Sequence, residues 1–421
     1  MTDSETSAGL TSRTHSLGGG GPYALMRNRN FALYLISRFV ASLGQQMLTV
    51  AVGWEIYERT HSALALGLVG LTQMAPMILC TLPAGHVADN YQRKRIILWM
   101  TVAAAAASLG LTAVSVLHAH VSLIYLCLLV AGTARTFLWP ASAAFMPSLV
   151  PRPIFARAVT WNTGSFHLSS VLGPAAGGGL IAVTQSATIV YALNAIALVV
   201  CFMLISAVRS NQAAPTKEKM TRANLIAGFK FVIASQVILG TITLDMFAVL
   251  LGGATALLPV YAKDILRAGP TGLGLLQAAL PIGALITAFI LAHRPPLQKA
   301  GRALLWSVAG FGVATIAFGF STSFWFSFLM LMLCGALDNV SVVVRHTLVQ
   351  ILTPDEKRGR VSAVNSLFIG TSNELGGFES GFVAHLVNPV FSVVSGGVGT
   401  ILVVIATALV WPAIRKYGRL E

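Results

Sequence analysis

Twelve long apolar runs constrain the fold of this chain more than any other feature. A helix needs about 20 apolar residues to cross a bilayer core about 30 Å thick. Only helices and closed barrels satisfy their backbone hydrogen bonds inside that core. The runs cover residues 31–56, 63–84, 96–117, 121–147, 158–184, 187–208, 236–262, 270–293, 302–320, 324–350, 359–386 and 390–413. We therefore predict an all-α integral membrane protein with twelve transmembrane helices.

The composition agrees with a chain whose main partner is the lipid bilayer. Apolar residues make up 55% and charged residues 10% of the chain, whereas soluble domains carry about 25% charged residues. The mean hydropathy is +0.76. The net charge of +14 would also suit nucleic acid, but the cations are spread over the connections between runs instead of forming one face. No nucleic-acid partner is expected.

The distribution of Lys and Arg predicts the orientation, because cytoplasmic connections carry an excess of these residues. With the N-terminus in the cytoplasm, 22 of the 28 cations fall on the cytoplasmic side. The opposite side has Arg59, Lys263 and Arg267, and the remaining three lie inside runs. We predict a multi-pass protein of the bacterial inner (plasma) membrane with both termini in the cytoplasm.

The runs fall into two groups of six, and the groups resemble each other at an offset of 203 residues. Residues that match at this offset include Leu149 and Leu352, Pro151 and Pro354, Arg157 and Arg360, Asn162 and Asn365, Gly173 and Gly376, and Gly178 and Gly381. A parallel 6+6 repeat is typical of secondary transporters that bind substrate between the halves.

This pattern predicts a domain order. We assign a disordered cytoplasmic tail (1–26), a first six-helix half (27–208), a cytoplasmic linker (209–235), a second six-helix half (236–413) and a cytoplasmic tail (414–421). Residues 228–236, with sequence GFKFVIASQ, are either an amphipathic helix lying on the membrane or an extension of the seventh span.

The connection after the second span, GHVADNYQRKR, concentrates charge in a short stretch. It contains Gly85, Asp89, Arg93, Lys94 and Arg95. Glycine permits close helix approach, and the cations suit pairing with carboxylates across the halves and anchoring at the inner leaflet. The plainer alternative is a positively charged cytoplasmic loop without a gating role.

With two groups of six spans, this stretch resembles the signature loop of the major facilitator superfamily, although the glycine expected at Gln92 is missing. The resemblance implies the major facilitator fold and a gating loop. It also implies that Asp89 faces Arg358 and Arg360 at the start of the eleventh span when the cytoplasmic side is closed.

Two further stretches refine the resemblance. The fifth span has GPAAGG, with Gly173, Pro174, Gly177 and Gly178, which resembles the core of a motif found in antiporters of the superfamily; the alternative is helix packing alone. Residues 250–276 and 338–381 resemble the branch that contains the enterobactin exporter and many efflux proteins. This resemblance implies export without fixing a substrate.

Ionisable residues inside spans are costly and are functional candidates by default. Burial and nearby cations shift the proton affinity of a carboxylate in opposite directions, so a conformational change could load and release a proton. The proton-coupling candidates are Asp338 and Glu374, in that order, followed by Glu379 and Asp245. The substrate-cavity candidates are Arg38, Gln45, Gln46, Arg135, Trp139, His167 and Arg345. The alternative for each is a structural ion pair or a packing role.

Other classes of function lack the residues they need. The chain has no Walker A pattern, its four cysteines all lie inside apolar runs, and His118 and His120 have no further metal ligands nearby. We therefore predict no enzymatic activity, metal or cofactor. A membrane sensor would need a sizeable soluble domain.

We predict a monomeric, proton-coupled exporter that works by alternating access on a small amphipathic molecule such as a drug or a siderophore. Import of a small nutrient or metabolite is the alternative.

Overall fold

The computed structural model describes residues 24–151, 154–209, 229–295 and 298–418, and no strand occurs within these ranges. Its long helices are α1 (Arg29–Thr60), α2 (Ala63–Asn90), α3 (Arg93–Val116), α4 (Ser122–Phe145), α5 (Phe155–Thr184), α6 (Thr188–Ala207), α7 (Gln236–Leu251), α8 (Gly269–Ala292), α9 (Ala300–Gly319), α10 (Phe324–Leu352), α11 (Asp355–Leu386) and α12 (Pro389–Val410). By length and composition, eleven spans in the described part are apolar enough to cross a membrane.

The helix outside that set of eleven is α11, which is the predicted eleventh span. Its 32 residues reach about 48 Å, which is ample for a bilayer. Its hydropathy is low because Asn365, Asn373, Glu374 and Glu379 interrupt the apolar sequence. With α11 included, the described helices agree with the predicted twelve-span, all-α fold, which is confirmed.

Helix α1 is longer than its apolar run. It begins after Asn28, whose side chain accepts hydrogen bonds from the backbone of Asn30 and Phe31, and it ends at His61 in the left-handed conformation with φ of 48°. Arg59 therefore lies in the last turn of α1, and not in a connection as we expected. A span boundary assigned from hydropathy alone falls too early when the last turn is charged but still helical.

The seventh span is broken near its middle, where α7 ends. Helix α7 ends at Leu251, and after Gly252 and Gly253 the chain continues through a 3₁₀ turn to a π-helical turn at Tyr261–Ile265. A side chain at Gly252 would place its Cβ 2.8 Å from the Phe311 ring. Glycine at the break therefore allows close packing against α9, and broken helices of this kind occur in transporters.

The internal repeat is visible in the packing. A Cβ at Gly173 of α5 would lie 2.5 Å from the Cβ of Gln46 of α1, and a Cβ at Gly376 of α11 would lie 2.7 Å from the carbonyl oxygen of Val249 of α7. Gln46 and Val249 have the same 203-residue offset as the two glycines. Both halves thus use one packing scheme, which confirms the predicted 6+6 repeat.

The halves press together at one end of the bundle. We call this the far end; it lies around His61, Thr184, Ile265 and Leu386, and the opposite termini end lies around Asn28, Asn90 and Gly418. Near the far end, a Cβ at Gly178 of α5 would lie 2.9 Å from Gly274 Cα of α8. On the other side of the molecule, a Cβ at Gly381 of α11 would lie 2.7 Å from Gly67 Cα of α2. Small residues permit such close crossings in membranes.

The segments outside the spans are described in part. Residues 229–234 are helical and end before Ser235, and the Phe229 ring lies 5.9 Å from the Phe368 ring of α11. Residues 1–23 and 210–228 of the predicted tail and linker lie outside the described residues. The predicted C-terminal tail begins inside a short helix, α13 (Pro412–Lys416), whose Ile414 is fully buried.

The glycine crossings generate a prediction with a matched control. Gly178→Leu should force α5 away from α8, because its Cβ has no free space and overpacking costs about 1–3 kcal/mol or more. Gly179→Leu should have little effect, because a Cβ there meets nothing within 4 Å. Thermal unfolding of the purified protein measures the difference, and equal melting temperatures for the two variants would contradict it.

Candidate functional site

A central cavity of about 470 Å³ lies between the two halves, within the usual size range of ligand sites. Its apolar wall includes Leu48, Val52 and Leu280. Its polar lining comprises Gln45, Gln46, Thr49, Gln73 and Ser170 from the first half and Thr255, Gln277, Asn373 and Glu374 from the second. The lining has five carboxamides and one ionisable side chain, so it is well suited to hydrogen bonding.

Four predicted functional residues line this cavity. They are Gln45 and Gln46 of α1, Pro174 of α5 and Glu374 of α11. The lining does not include Arg38, Arg135, Trp139, His167, Asp245, Asp338, Arg345 or Glu379. The lining comes from α1, α2, α4, α5, α8, α11 and the turns after α7, with no residue from α10, which carries Asp338 and Arg345. Sequence position did not distinguish side chains that face the cavity from those that face another helix.

An ion pair joins the halves beside the cavity. Arg135 Nη2 of α4 lies 3.5 Å from Glu374 Oε1 of α11, and Arg135 Nη1 donates a 3.4 Å hydrogen bond to Gln73 Oε1 of α2. The Glu374 side chain is 17% exposed and that of Arg135 is 57% exposed. Close packing of Gly70 of α2 on the Glu374 backbone brings these groups together.

The same face of α4 continues toward the termini end. Trp139 follows Arg135 by four residues and therefore shares its helix face. Its side chain is 68% exposed, so the surface of α4 that looks toward the other half is uncovered at that level.

A second ion pair is internal to the second half. Arg345 of α10 pairs with Asp245 of α7, and their side chains are 3% and 8% exposed. Arg345 therefore has its partner on α7, and not in Asp338 on its own helix. Removing one partner of a pair this well buried would leave a buried charge uncompensated.

The remaining ionisable candidates lie in different surroundings. Asp338 is exposed on α10 and forms no ion pair with a described side chain. Glu379 accepts a 3.4 Å hydrogen bond from the neighbouring Ser380 hydroxyl. The His167 ring stacks edge-on with Phe166, with centroids 6.0 Å apart. Arg38 is half-buried near Tyr34 and Cys201.

The charged stretch after the second span is mostly helical. Gly85 and Asp89 belong to α2, and only Tyr91 and Gln92 separate α2 from α3. Helix α3 begins at Arg93, directly after this two-residue turn. The sequence pattern suggested a loop because polar residues in the last turn of a helix resemble a connection.

The cations of this stretch bind backbone within their own half. Arg93 Nη1 donates a 3.0 Å hydrogen bond to Ala144 O at the end of α4. Lys94 Nζ donates 2.7 Å hydrogen bonds to Ser206 O and Val208 O at the end of α6. They thus satisfy free carbonyls at the negative ends of two helix dipoles, in place of the carboxylates that we expected across the halves.

The rest of the proposed gate is only partly described. Arg95 and Asp89 are exposed. Arg358 donates 3.2 Å hydrogen bonds to the backbone of Gln350 and Thr353, and the Arg360 side chain lies outside the described ones. Contact of Asp89 with the eleventh span therefore stays a prediction.

The fifth-span glycines pack in two directions. Gly173 and Gly177 lie against Gln46 and Met47 of α1, whereas Pro174 and Gly178 lie against Gly274 of α8. One helix face thus holds the first half together while the adjacent face meets the second half.

The sequence analysis missed a polar contact between the halves at the far end. Lys263 Nζ of the π turn lies 2.7 Å from Glu58 Oε2 of α1, and the Tyr57 hydroxyl donates to Asp264 Oδ2. We call these four residues the far-end latch. Charged residues flanking the first and seventh spans were a signal for it, but the π turn that presents Lys263 and Asp264 together has no sequence signature.

The latch is anchored on one side and open to solvent on the other. Arg59 pairs with Glu55 and donates a 2.9 Å hydrogen bond to Ala119 O, which fixes the end of α1 to its own half. A second cavity of about 780 Å³ borders Tyr57 and Asp264.

Within the described ranges, no three His, Cys, Asp or Glu side chains lie together as metal ligands would.

Sequence comparison matches most of the chain to one protein family and to named exporters. Residues 20–416 match the family described as transmembrane secretion effector. The enterobactin exporter EntS of Escherichia coli O1:K1 / APEC is 26% identical over 388 residues, covering 92% of this chain and 93% of that protein. EntS of Shigella boydii serotype 18 has the same identity and coverage.

Solved transporter structures share the fold at low sequence identity. A POT family transporter in complex with 5-aminolevulinic acid has a TM-score of 0.75 and 12% identity, covering 92% of this chain and 97% of that one. The nucleoside transporter NupG has a TM-score of 0.70 and 12% identity, covering 92% and 100%. A bacterial homolog of the human lysosomal transporter Spinster, inward-facing and unoccupied, has a TM-score of 0.68 and 14% identity, covering 94% and 96%.

The buried pair in the second half yields a stability prediction. Asp245→Asn should destabilise the protein by about 3–5 kcal/mol, because it leaves Arg345 buried without its counter-ion. The double change Asp245→Asn with Arg345→Met should recover much of that loss by removing both charges. Thermal unfolding of the purified variants measures this, and a double variant no more stable than Asp245→Asn would argue against a pair that acts as a unit.

The far-end latch yields a charge-swap prediction. Glu58→Lys or Lys263→Glu alone places like charges together and should open the far end. The double swap should restore closure. An exposed pair contributes up to about 1 kcal/mol, so we expect roughly a fivefold change in the rate at which an impermeant maleimide labels Ser62→Cys in the adjoining cavity. Labelling that ignores the single swaps, or that the double swap fails to restore, would count against the latch.

Proposed function

Because the chain belongs to the transmembrane secretion effector family of the major facilitator superfamily, we propose that it is a proton-coupled exporter of a small amphipathic molecule that works by alternating access. The chain is a membrane transporter and not an enzyme, because its family and its named relatives are transporters. The coupling, the direction and the substrate class are the proposal.

The observation that carries the proposal is the ion pair between Arg135 and Glu374. It joins α4 of the first half to α11 of the second at 3.5 Å, and Glu374 also lines the central cavity. A movement that separates the halves must separate these two side chains. The state of the carboxylate is therefore tied directly to the conformation of the transporter.

This arrangement supports proton coupling at Glu374. An opposite charge within about 4–6 Å favours an ionised carboxylate, whereas desolvation without such a charge favours the protonated form. When Arg135 withdraws, Glu374 would take a proton, and when Arg135 returns, Glu374 would release it. Asp338 is the second candidate, because it is exposed on α10 and has no counter-ion among the described side chains.

Export is favoured over import by the named relatives, and the conformation is compatible with it. The matched relatives are named enterobactin exporters. If both termini are cytoplasmic, as the distribution of Lys and Arg predicts, the far end faces outward. Its close crossings at Gly178 and Gly381 then close the outside, while the exposed face of α4 at Trp139 leaves the cavity accessible from the cytoplasm. That state can accept a substrate from the cytoplasm, as export requires.

The cavity lining supports an amphipathic substrate. Apolar side chains such as Leu48, Val52 and Leu280 alternate with carboxamides, and Glu374 is the ionisable group of the lining. Because Arg135 balances the charge of Glu374, the site carries little net charge. A molecule with an apolar body and several hydrogen-bonding groups matches it.

Glu374→Gln tests the coupling. In inside-out membrane vesicles with an acidic lumen, the wild-type protein should accumulate enterobactin or ethidium, a siderophore and a drug. Glu374→Gln should abolish accumulation driven by the proton gradient, yet keep exchange of labelled for unlabelled probe, which needs no net proton movement. Glu379→Gln removes a carboxylate outside the cavity lining and should keep both activities.

The outcomes separate the parts of the proposal. Gradient-driven accumulation that survives in Glu374→Gln would remove Glu374 from the coupling step, and loss in Asp338→Asn alone would transfer that role to Asp338. If the wild-type protein accumulates neither probe, export of this substrate class is contradicted.

A further inference from the structure

Four polar side chains of the central cavity form two pairs that are related by the internal repeat. Gln73 of α2 and Gln277 of α8 are related by an offset of 204 residues, one more than the offset of the other matched positions. Ser170 of α5 and Asn373 of α11 are related by the 203-residue offset. All four of these polar side chains line the cavity.

Each pair is split between the two crossings of the halves. Gly70 packs on the backbone of Glu374, next to Asn373, and Gln73 reaches the same place because it binds Arg135, the partner of Glu374. Gln73 and Asn373 therefore lie together at the crossing of α2 and α11.

The other crossing also has two polar lining residues near it. Gly274 packs on the backbone of Pro174, and one turn further toward the termini end lie Gln277 on α8 and Ser170 on α5. Ser170 also accepts a 2.9 Å hydrogen bond from Gln46 Nε2. Gln277 and Ser170 thus occupy the crossing of α5 and α8, on the opposite side of the cavity.

The match does not extend to every lining position. Gln46 and Thr49 of α1 correspond at the 203-residue offset to Val249 and Gly252 of α7. Hydrogen-bonding capacity is therefore matched at the two crossings, where residues of both halves meet, and not along the central helices.

We propose that the cavity contains two like hydrogen-bonding subsites, one formed by Gln73 and Asn373 and the other by Gln277 and Ser170, and that it prefers an uncharged ligand with two polar arms on an apolar body. This inference rests on the proposed function only in treating the central cavity as the substrate site. Each arm would contact both halves at once, so a two-armed ligand would contact α2 and α11 at one end and α5 and α8 at the other.

The physical advantage of two arms is a gain in affinity and in coupling. Once the first arm is bound, the second binds at a high effective concentration. A ligand with one arm occupies either subsite but makes only the hydrogen bonds of that subsite, so a site built on hydrogen bonds discriminates against it.

A pair of probes tests this directly. The two-armed probe is 1,2-bis(2,3-dihydroxybenzamido)ethane and the one-armed probe is N-ethyl-2,3-dihydroxybenzamide; both are uncharged at mildly acidic pH and combine an aromatic body with amide and hydroxyl groups. Calorimetric titration of the purified full-length protein should show that the two-armed probe binds at least about tenfold more tightly.

The variants Gln73→Met and Gln277→Met keep side-chain length and remove the carboxamide. Each should weaken binding of the two-armed probe about tenfold. Binding of the one-armed probe should fall no more than about twofold, because the other subsite remains. Gln350→Met is the matched control, since Gln350 is exposed on α10 outside the cavity lining.

Two results would overturn the inference: equal affinity of the wild-type protein for both probes, which includes no binding of either, or an effect of one Gln variant without the other. A merely structural role of the glutamines would weaken both probes equally. Titration needs neither a gradient nor a transport direction, so failure of proton-driven export leaves this result intact. Export without a preference for the two-armed probe would reject the subsites alone.

Discussion

Two glycine-lined helix crossings hold the halves of this protein together, and the other functional features are arranged around them. Apolar side chains gain little by leaving lipid for protein, so helices in a bilayer associate through close backbone packing. The crossings of α5 with α8 and of α2 with α11 provide it through Gly178, Gly274, Gly67 and Gly381. They lie on opposite sides of the cavity, so they define two of its walls.

The charged side chains divide into those that hold a half together and those that join the halves. Asp245 with Arg345 lies inside the second half, where desolvation makes an unpaired charge intolerable and favours a permanent pair. Arg135 with Glu374 is more exposed and crosses between the halves, where a pair is cheaper to separate. The two pairs therefore differ in burial and location, although both join an arginine to a carboxylate.

Much of the fold could be predicted from the sequence, because in a bilayer the length of an apolar run and its backbone requirement determine the helix. The repeat offset also identified the glycines of α5 and α11 that pack equivalently. The partners of side chains could not be predicted. Arg345 binds an aspartate about 100 residues away in sequence. Lys94 binds a backbone carbonyl that is available to a side chain only because α6 ends there. Such contacts depend on tertiary geometry that periodicity does not encode.

The carbonyl contacts of Arg93 and Lys94 have a mechanical consequence. By joining the start of α3 to the ends of α4 and α6, they stiffen the first half at the termini end, while Arg59 stiffens the same half at the far end. A half that is stiff at both ends would rotate as one rigid body. Helix α1 is about 48 Å long, so a rotation of about 10° would displace its other end by roughly 8 Å, and a small loss of contact at the far end would become a wide movement at the opposite membrane surface.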